Sequence, residues 1–537
     1  MKTIFHDRCG KPVYVLGLQA HNSSNGNREM LARSIQAVQL YHGNTLEVPV
    51  YWSSIEPEEG KFDFTTVDDL LLQVRQAGLY LILLWFGFSK NCDATYTPAW
   101  VKQHPETYRL AKSYDGGVVP MLSPHCEATI TADTRAFTAL MAHLRQVDEQ
   151  SRTVLALQVE NEIGLYPTDR FYSNAAQAAY DLGVPEHLQD ILVEGSGASR
   201  KGTSWADCFG RYGNEAFSSW AFATAIERIA SAGQAAYPAL PLFMNTVIGQ
   251  VRQEIGGQSY PSGTPVGRML PVWQRCAPTI RLYAPDIYQP ATSDYLRVCK
   301  EQTKHSNPLF IPETGTAGEG FARSYLHAAA EYGALGICGF GAESTIDGNG
   351  GLQPPHQAVA DSMHILSTMA PLLLAHGGTD RIFCVTQEEF QSYQHVLREK
   401  YHITCHFTAA TGKGHPLGRS LPVSEQLAKN PNIFRQRGRV LFCEAAEDEY
   451  YLAGIGATVR FLLQPDPEDP HPMRTYASRA ATELTAISIE EGYFDESGAW
   501  VCDFVRMGDE IDLGAFVYPG IVLRVKLNPD VVKAVEW

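Results

Sequence analysis

Eight short apolar runs alternate with helix-length stretches between residues 11 and 365, and this alternation restricts the architecture more than any other property of the chain. The runs are Lys11–Gly17, Thr45–Tyr51, Leu79–Leu84, the run that opens at Thr153, Leu240–Asn245, Thr279–Tyr288, Asn307–Glu313 and Ala334–Phe340. Strands separated by helices pair in parallel, because each helix carries the chain back to the end where the previous strand began. Asn27–Tyr41, Thr131–Val147, Glu215–Ala232 and Phe321–Tyr332 read as helices. Thr65 opens another, in a capping box with Asp68, and Val67, Leu70, Leu71 and Val74 give it an apolar stripe.

Eight such units over residues 1–370 predict an α/β fold, a closed (β/α)8 TIM barrel with a loop insertion near 166–214. An open doubly wound sheet is the alternative. No Gly-x-Gly-x-x-Gly follows the first run, however, so such a sheet would have nothing to hold a nucleotide with. From about residue 371 the texture changes. Short strands such as 401–407, 440–445, 458–463 and 520–527, separated by turn clusters such as Pro465–Pro472, predict a β-rich, sandwich-like domain over 371–537.

Barrel enzymes place their chemistry at the carboxyl ends of the strands, and two of the runs end on acids. The run from Thr153 stops at Glu160, Asn161 and Glu162; another stops at Glu313. One acid at a strand end is an ordinary cap. Two on separate strands suggest a facing pair, as glycoside hydrolysis requires: one carboxyl acts as acid and then base, the other as nucleophile or as base for water. Glu160 shares the strand parity of Glu162 but lies deeper, so Glu162 is the expected acid. The other strand ends offer Asn22, Trp52, Trp85, Lys90, Asn91, Asn245 and Phe340, a mixture of aromatic faces, amides and one cation that suits a pyranose. Lys90, directly after an apolar strand, needs an acceptor.

Charge narrows the ligand. With 43 Lys and Arg against 59 Asp and Glu the net charge is −16, which argues against nucleic acid and anionic membranes and fits a neutral carbohydrate. The longest apolar run, Leu79–Phe88, is far short of the roughly 20 residues that span a bilayer, and no secretory signal is visible. Eleven scattered cysteines without a Cys-x-x-Cys pair read as free thiols in a reducing cytoplasm. Tyr401–His406 alternates like a strand and is not expected to hold a metal. No cofactor is expected, and a homo-oligomer is left open.

Together, Pro49–Trp52 with Ile55–Phe64, Leu84–Gly87 with Lys90 and Asn91, Val159–Gly164, Ala284–Tyr288 and Pro308–Glu313 resemble the bacterial, single-barrel branch of glycoside hydrolase family 35. That branch belongs to the clan of retaining barrel glycosidases, and the resemblance covers most of residues 11–365. It implies Glu162 as acid/base, Glu313 as nucleophile, Asn161 as a donor to the sugar 2-hydroxyl and Tyr288 as partner of the nucleophile. The activity it implies is that of a retaining exo-β-glycosidase, a β-galactosidase first. A β-glucosidase or transglycosylase is the alternative on the same site, and a non-catalytic carbohydrate-binding barrel the alternative outside the class. Members usually carry Glu-Leu-His-Asn at Gln19–Asn22, Tyr-Trp-Glu at Tyr51–Ser53 and Ser-Trp-Lys-Asn at Phe88–Asn91. Gln19, Ser53 and Ser89 thus mark the loss of two carboxylates and a tryptophan, which leaves the sugar open.

Overall fold

The computed structural model describes residues 3–248, 255–388, 391–407, 437–464, 486–512 and 514–529. Eight parallel strands close into a barrel: β1 (Val15–Gln19), β2 (Thr45–Tyr51), β3 (Tyr80–Lys90), β4 (Val154–Asn161), β5 (Leu242–Val247), β6 (Tyr283–Ile287), β7 (Ile311–Thr314) and β8 (Gly336–Phe340). Neighbours in the barrel are neighbours in the chain, and β1 closes on β8 from Val15↔Gly336 to Gln19↔Phe340. The strands are apolar because the barrel buries both of their faces: all eight residues of β4 are buried. Closure also needs glycine. A Cβ at Gly17 would lie 2.4 Å from the Thr45 carbonyl oxygen, and one at Gly336 2.5 Å from Val15 Cβ.

Two local expectations change, the end of β3 and the start of the helix at Thr65. Strand β3 does not stop at Leu84 but continues through Lys90, with a register shift against β4 between Trp85↔Val159 and Lys90↔Asn161. The irregularity carries Lys90 to the end of β4, beside Asn161. The stretch after β3 holds a two-stranded hairpin, Leu110–Lys112 with Val118–Leu122. Helix Thr65–Gln76 has no capping box: Phe64 is its N-cap residue, and Asp63 Oδ1 accepts the Thr65 N–H at 2.9 Å.

The chain divides into two compact units, residues 2–316 with 334–353, and residues 317–333 with 354–537. The second contains helix Glu319–Glu331 and two antiparallel sheets. The six-stranded sheet begins with β9 (Ile382–Thr386), paired to Arg439–Ala446; the four-stranded sheet includes Tyr401–Phe407 and Ala457–Leu463. Val385, Phe442, Leu452 and Val525 of one sheet share a core with Ile403, Phe407, Val459 and Phe461 of the other, which makes this part a sandwich. The turn cluster Pro465–Pro472 lies outside the described residues. Among the described residues no single helix is long and apolar enough to cross a membrane.

Candidate active site

At the carboxyl end of β4 the backbone leaves the strand through two left-handed residues, Glu160 (φ 58°) and Glu162 (φ 46°). Non-glycine residues adopt this conformation at a cost, and such strain gathers where a side chain must be aimed. Asn245 on β5 fixes the bend, accepting the Glu162 N–H on Oδ1 at 2.8 Å. Its amide group donates to Asp286 Oδ2 at 2.8 Å and Asn161 Oδ1 at 3.3 Å. Asp286 is in turn the register partner of Glu313 across β6 and β7. Tyr288 donates its hydroxyl to Glu313 Oε1 at 2.5 Å, and Gln19 donates to Oε2 at 3.1 Å. Glu162 and Glu313 are 8% and 7% exposed, so each keeps a narrow opening in an otherwise buried setting.

The two acids differ in surroundings. Burial and the charge of Glu313 push the Glu162 carboxyl up to about 7, against Lys90 and Asp286, which pull it down. Glu313 instead accepts a hydrogen bond on each oxygen, from the Tyr288 phenol and the Gln19 carboxamide. Asp286 is buried and pushed well up, by desolvation first and then by Glu313 and Glu162. Three carboxyls therefore share one cluster, and two of them retain protons readily.

Glu160 belongs elsewhere. It is fully buried, accepts the Ser89 N–H at 2.9 Å, and faces Asp133 of helix Glu127–Asp148. Burial, then the neighbouring acid, lifts Glu160 well above the usual carboxylate range, while burial lifts Asp133 to about 6. The approach is so close that a Cβ at Gly87 would lie 2.4 Å from Asp133 Oδ2 and from Glu160 Oε1.

Two expected sugar contacts are corrected. Trp85 has no exposed surface; its Nε1 donates to Asp133 Oδ1 at 2.9 Å and its ring packs on Phe137. Trp52, equally buried, donates to Glu56 Oε2 at 3.0 Å and meets Trp100 edge-on. Trp85, in mid-strand, packs on helix Glu127–Asp148, and Trp52, just past the end of β2, on Trp100 of helix Ala99–Lys102, so neither ring faces a ligand. Trp85→Ala should accordingly cost about 3–5 kcal/mol of stability, the range for emptying a buried aromatic site. Chemical denaturation would read this; an unchanged midpoint would show that Trp85 is not a packing residue.

The remaining candidates gather around Glu162 or at the strand ends. Lys90 is nearly buried, finds its acceptor in Asn91 Oδ1 at 2.7 Å and lies 4.9 Å from the centre of the Phe86 ring. Asn91 also accepts from Asn161 Nδ2 at 3.0 Å. Phe340 is half-buried and meets His21 edge-on, and the Asn22 carbonyl accepts the Tyr51 hydroxyl. Sequence reasoning passed over Gln19, Asp286 and Cys92. Gln19 entered only as a departure from a motif, yet it touches Glu313; Cys92 Sγ lies 3.7 Å from the Glu162 carbonyl. For Asp286 a signal existed, since an acid inside an otherwise apolar five-residue barrel strand has to be neutralised there.

Residues 21–199 match a family model described as Beta-galactosidase, of glycoside hydrolase family 42, and residues 359–518 match a domain of unknown function, DUF5597. A β-galactosidase of Xanthomonas manihotis is 28% identical over 185 residues, 32% of this chain and 27% of that protein. Human β-galactosidase-1-like protein 2 is 32% identical over 151 residues, 27% of this chain and 22% of that protein. The chain thus spans about a quarter of the length of these curated relatives. A solved family 42 β-galactosidase from G. stearothermophilus shares the barrel fold with a TM-score of 0.50 at 16% identity, over 71% of this chain and 58% of that one. The matched family is 42, where the motifs suggested 35; over the matched stretch this chain is related to β-galactosidase-type glycosidases.

Proposed function

We propose that the chain is a retaining exo-β-glycosidase, a β-galactosidase first, that releases a terminal sugar from a neutral β-linked glycoside. Glu162 protonates the glycosidic oxygen while Glu313 attacks the anomeric carbon; Glu162, now a base, then activates water against the glycosyl-Glu313 ester. The observation that carries the reading is the unlike pair itself. Glu162 holds a proton near neutrality because burial and Glu313 disfavour its charge, and Glu313 is met by two donors. Asn161, itself without exposed surface, gives one Nδ2 hydrogen to Asn91, and the family resemblance assigns the other to a sugar 2-hydroxyl.

Within this group the motifs around Glu162 and Glu313 favour family 35, although the matched model is that of family 42. The scattered cysteines, which form no disulfide among the described residues, support a cytoplasmic setting. The β-glucosidase or transglycosylase alternative keeps one specific support. Gln19, which replaces a carboxylate of the motif, bonds Glu313 and thereby changes what is offered to the sugar. A panel of aryl β-glycosides decides among these readings. The galactoside should give the highest kcat/KM; preference for another sugar would retain the mechanism and replace the substrate, and no turnover on any member would favour a non-catalytic binding barrel.

A further inference from the structure

The second unit carries a cluster of donor side chains that the sugar chemistry does not use. His327 and Glu331 stand four residues apart on helix Glu319–Glu331, hence on one face, one turn apart. Cys384 and Thr386 stand two apart on β9, hence on one side of that strand. Val385, between them, points the other way into the sandwich core. One ligand-type atom from each of His327, Glu331 and Cys384 lies within 4.8 Å of the other two. His327 uses both ring nitrogens: Nδ1 meets Glu331 Oε1 at 2.5 Å and Nε2 meets Thr386 Oγ1 at 3.0 Å.

We propose that His327, Glu331 and Cys384 form a binding site for a divalent transition metal of the Zn2+ or Co2+ class. An imidazole, a thiolate and one carboxylate are a borderline-to-soft donor set, which selects such ions over Ca2+ and Mg2+. Three protein donors leave a fourth tetrahedral position for water or another ligand. Thr386, holding Nε2, plays the part of the outer partner that fixes the ring of a metal-bound histidine while Nδ1 faces the ion. Donor atoms around such an ion stand about 3.3 Å apart, from bonds of about 2.0 Å. Glu331 must therefore swing away from Nδ1, and it is exposed and lies at the end of its helix, where a rotamer change is cheap.

The site uses no residue assigned to glycoside cleavage, so its test does not depend on activity. The full chain, stripped with chelator, is titrated with Co2+ and its near-ultraviolet and visible spectrum recorded. The expected result is a thiolate-to-cobalt charge-transfer band that saturates at one equivalent. In Cys384→Ser the band should vanish with circular dichroism unchanged, although ten other cysteines remain. Glu331→Gln, an exposed position where misfolding is not a concern, should weaken Co2+ binding roughly 10–100-fold, the size of effect that single groups around a bound metal have. No band in the unsubstituted protein, a band that persists in Cys384→Ser, or unchanged affinity in Glu331→Gln would each overturn the proposal.

Discussion

Glu313→Gln is expected to lower kcat/KM on the order of 10^5-fold, about 7 kcal/mol at 1.36 kcal/mol per tenfold, because the substitution removes the atom that must bond the anomeric carbon. The side chain keeps its shape, so Gln19 and Tyr288 stay in reach and the fold should be unaffected. The decisive measurement is mass spectrometry after incubation with a 2-deoxy-2-fluoro glycosyl fluoride. Its fluorine slows both steps, while the good leaving group lets the covalent intermediate form. The unsubstituted protein should gain one glycosyl unit, located by peptide mapping at Glu313, and Glu313→Gln should gain none. A label on any other carboxylate would show that the nucleophile has been misassigned.

Glu162→Ala should cost about 10^2–10^4-fold on glycosides with poor leaving groups, the usual contribution of a positioned acid, and little on aryl glycosides whose phenol departs unaided. Azide, small enough for the space left behind, should restore turnover and give a β-azide; an α-azide would overturn the retaining course. The pH profile carries the same information. With Glu162 at about 7 in the free protein, kcat/KM for a poor leaving group should fall as pH rises through that value, since the proton to be donated is lost. The variant should lack this limb.

Stability is linked to the same proton. A folded value raised above the unfolded one means that the native state holds the proton more tightly. The stabilisation is full below the ordinary glutamate range and is lost as pH rises through about 7. Glu162→Ala should flatten that part of the stability curve.

Much of the fold was legible because barrel strands announce themselves locally. A strand buried on both faces has to be apolar, so the run from Thr153 and the run ending at Glu313 stand out against amphipathic helices. Boundaries were less legible where the pairing register shifts: β3 keeps β4 as its partner but passes a shift between Trp85↔Val159 and Lys90↔Asn161. The tryptophans failed for a different reason. An aromatic at a strand end looks the same in sequence whether it faces the barrel mouth or the helix layer. For Trp52 and Trp85 the choice was made by Glu56 and Asp133, which receive their indole hydrogens.

From the sequence alone came the parallel barrel and the two strands that end in acids, since each rests on an unbroken apolar run; parity could not separate Glu160 from Glu162, and depth along the strand was the sole ground for preferring Glu162. Only the tertiary structure decided what those acids meet. Gln19 reaches Glu313 across 294 positions, Asn245 ties Glu162 to Asp286, and Asp133 occupies Glu160. The physical reason is one of range. Burial and periodicity act between neighbours in the chain, whereas the proton affinity and the freedom of a carboxyl are set by whichever distant groups the closed barrel brings against it.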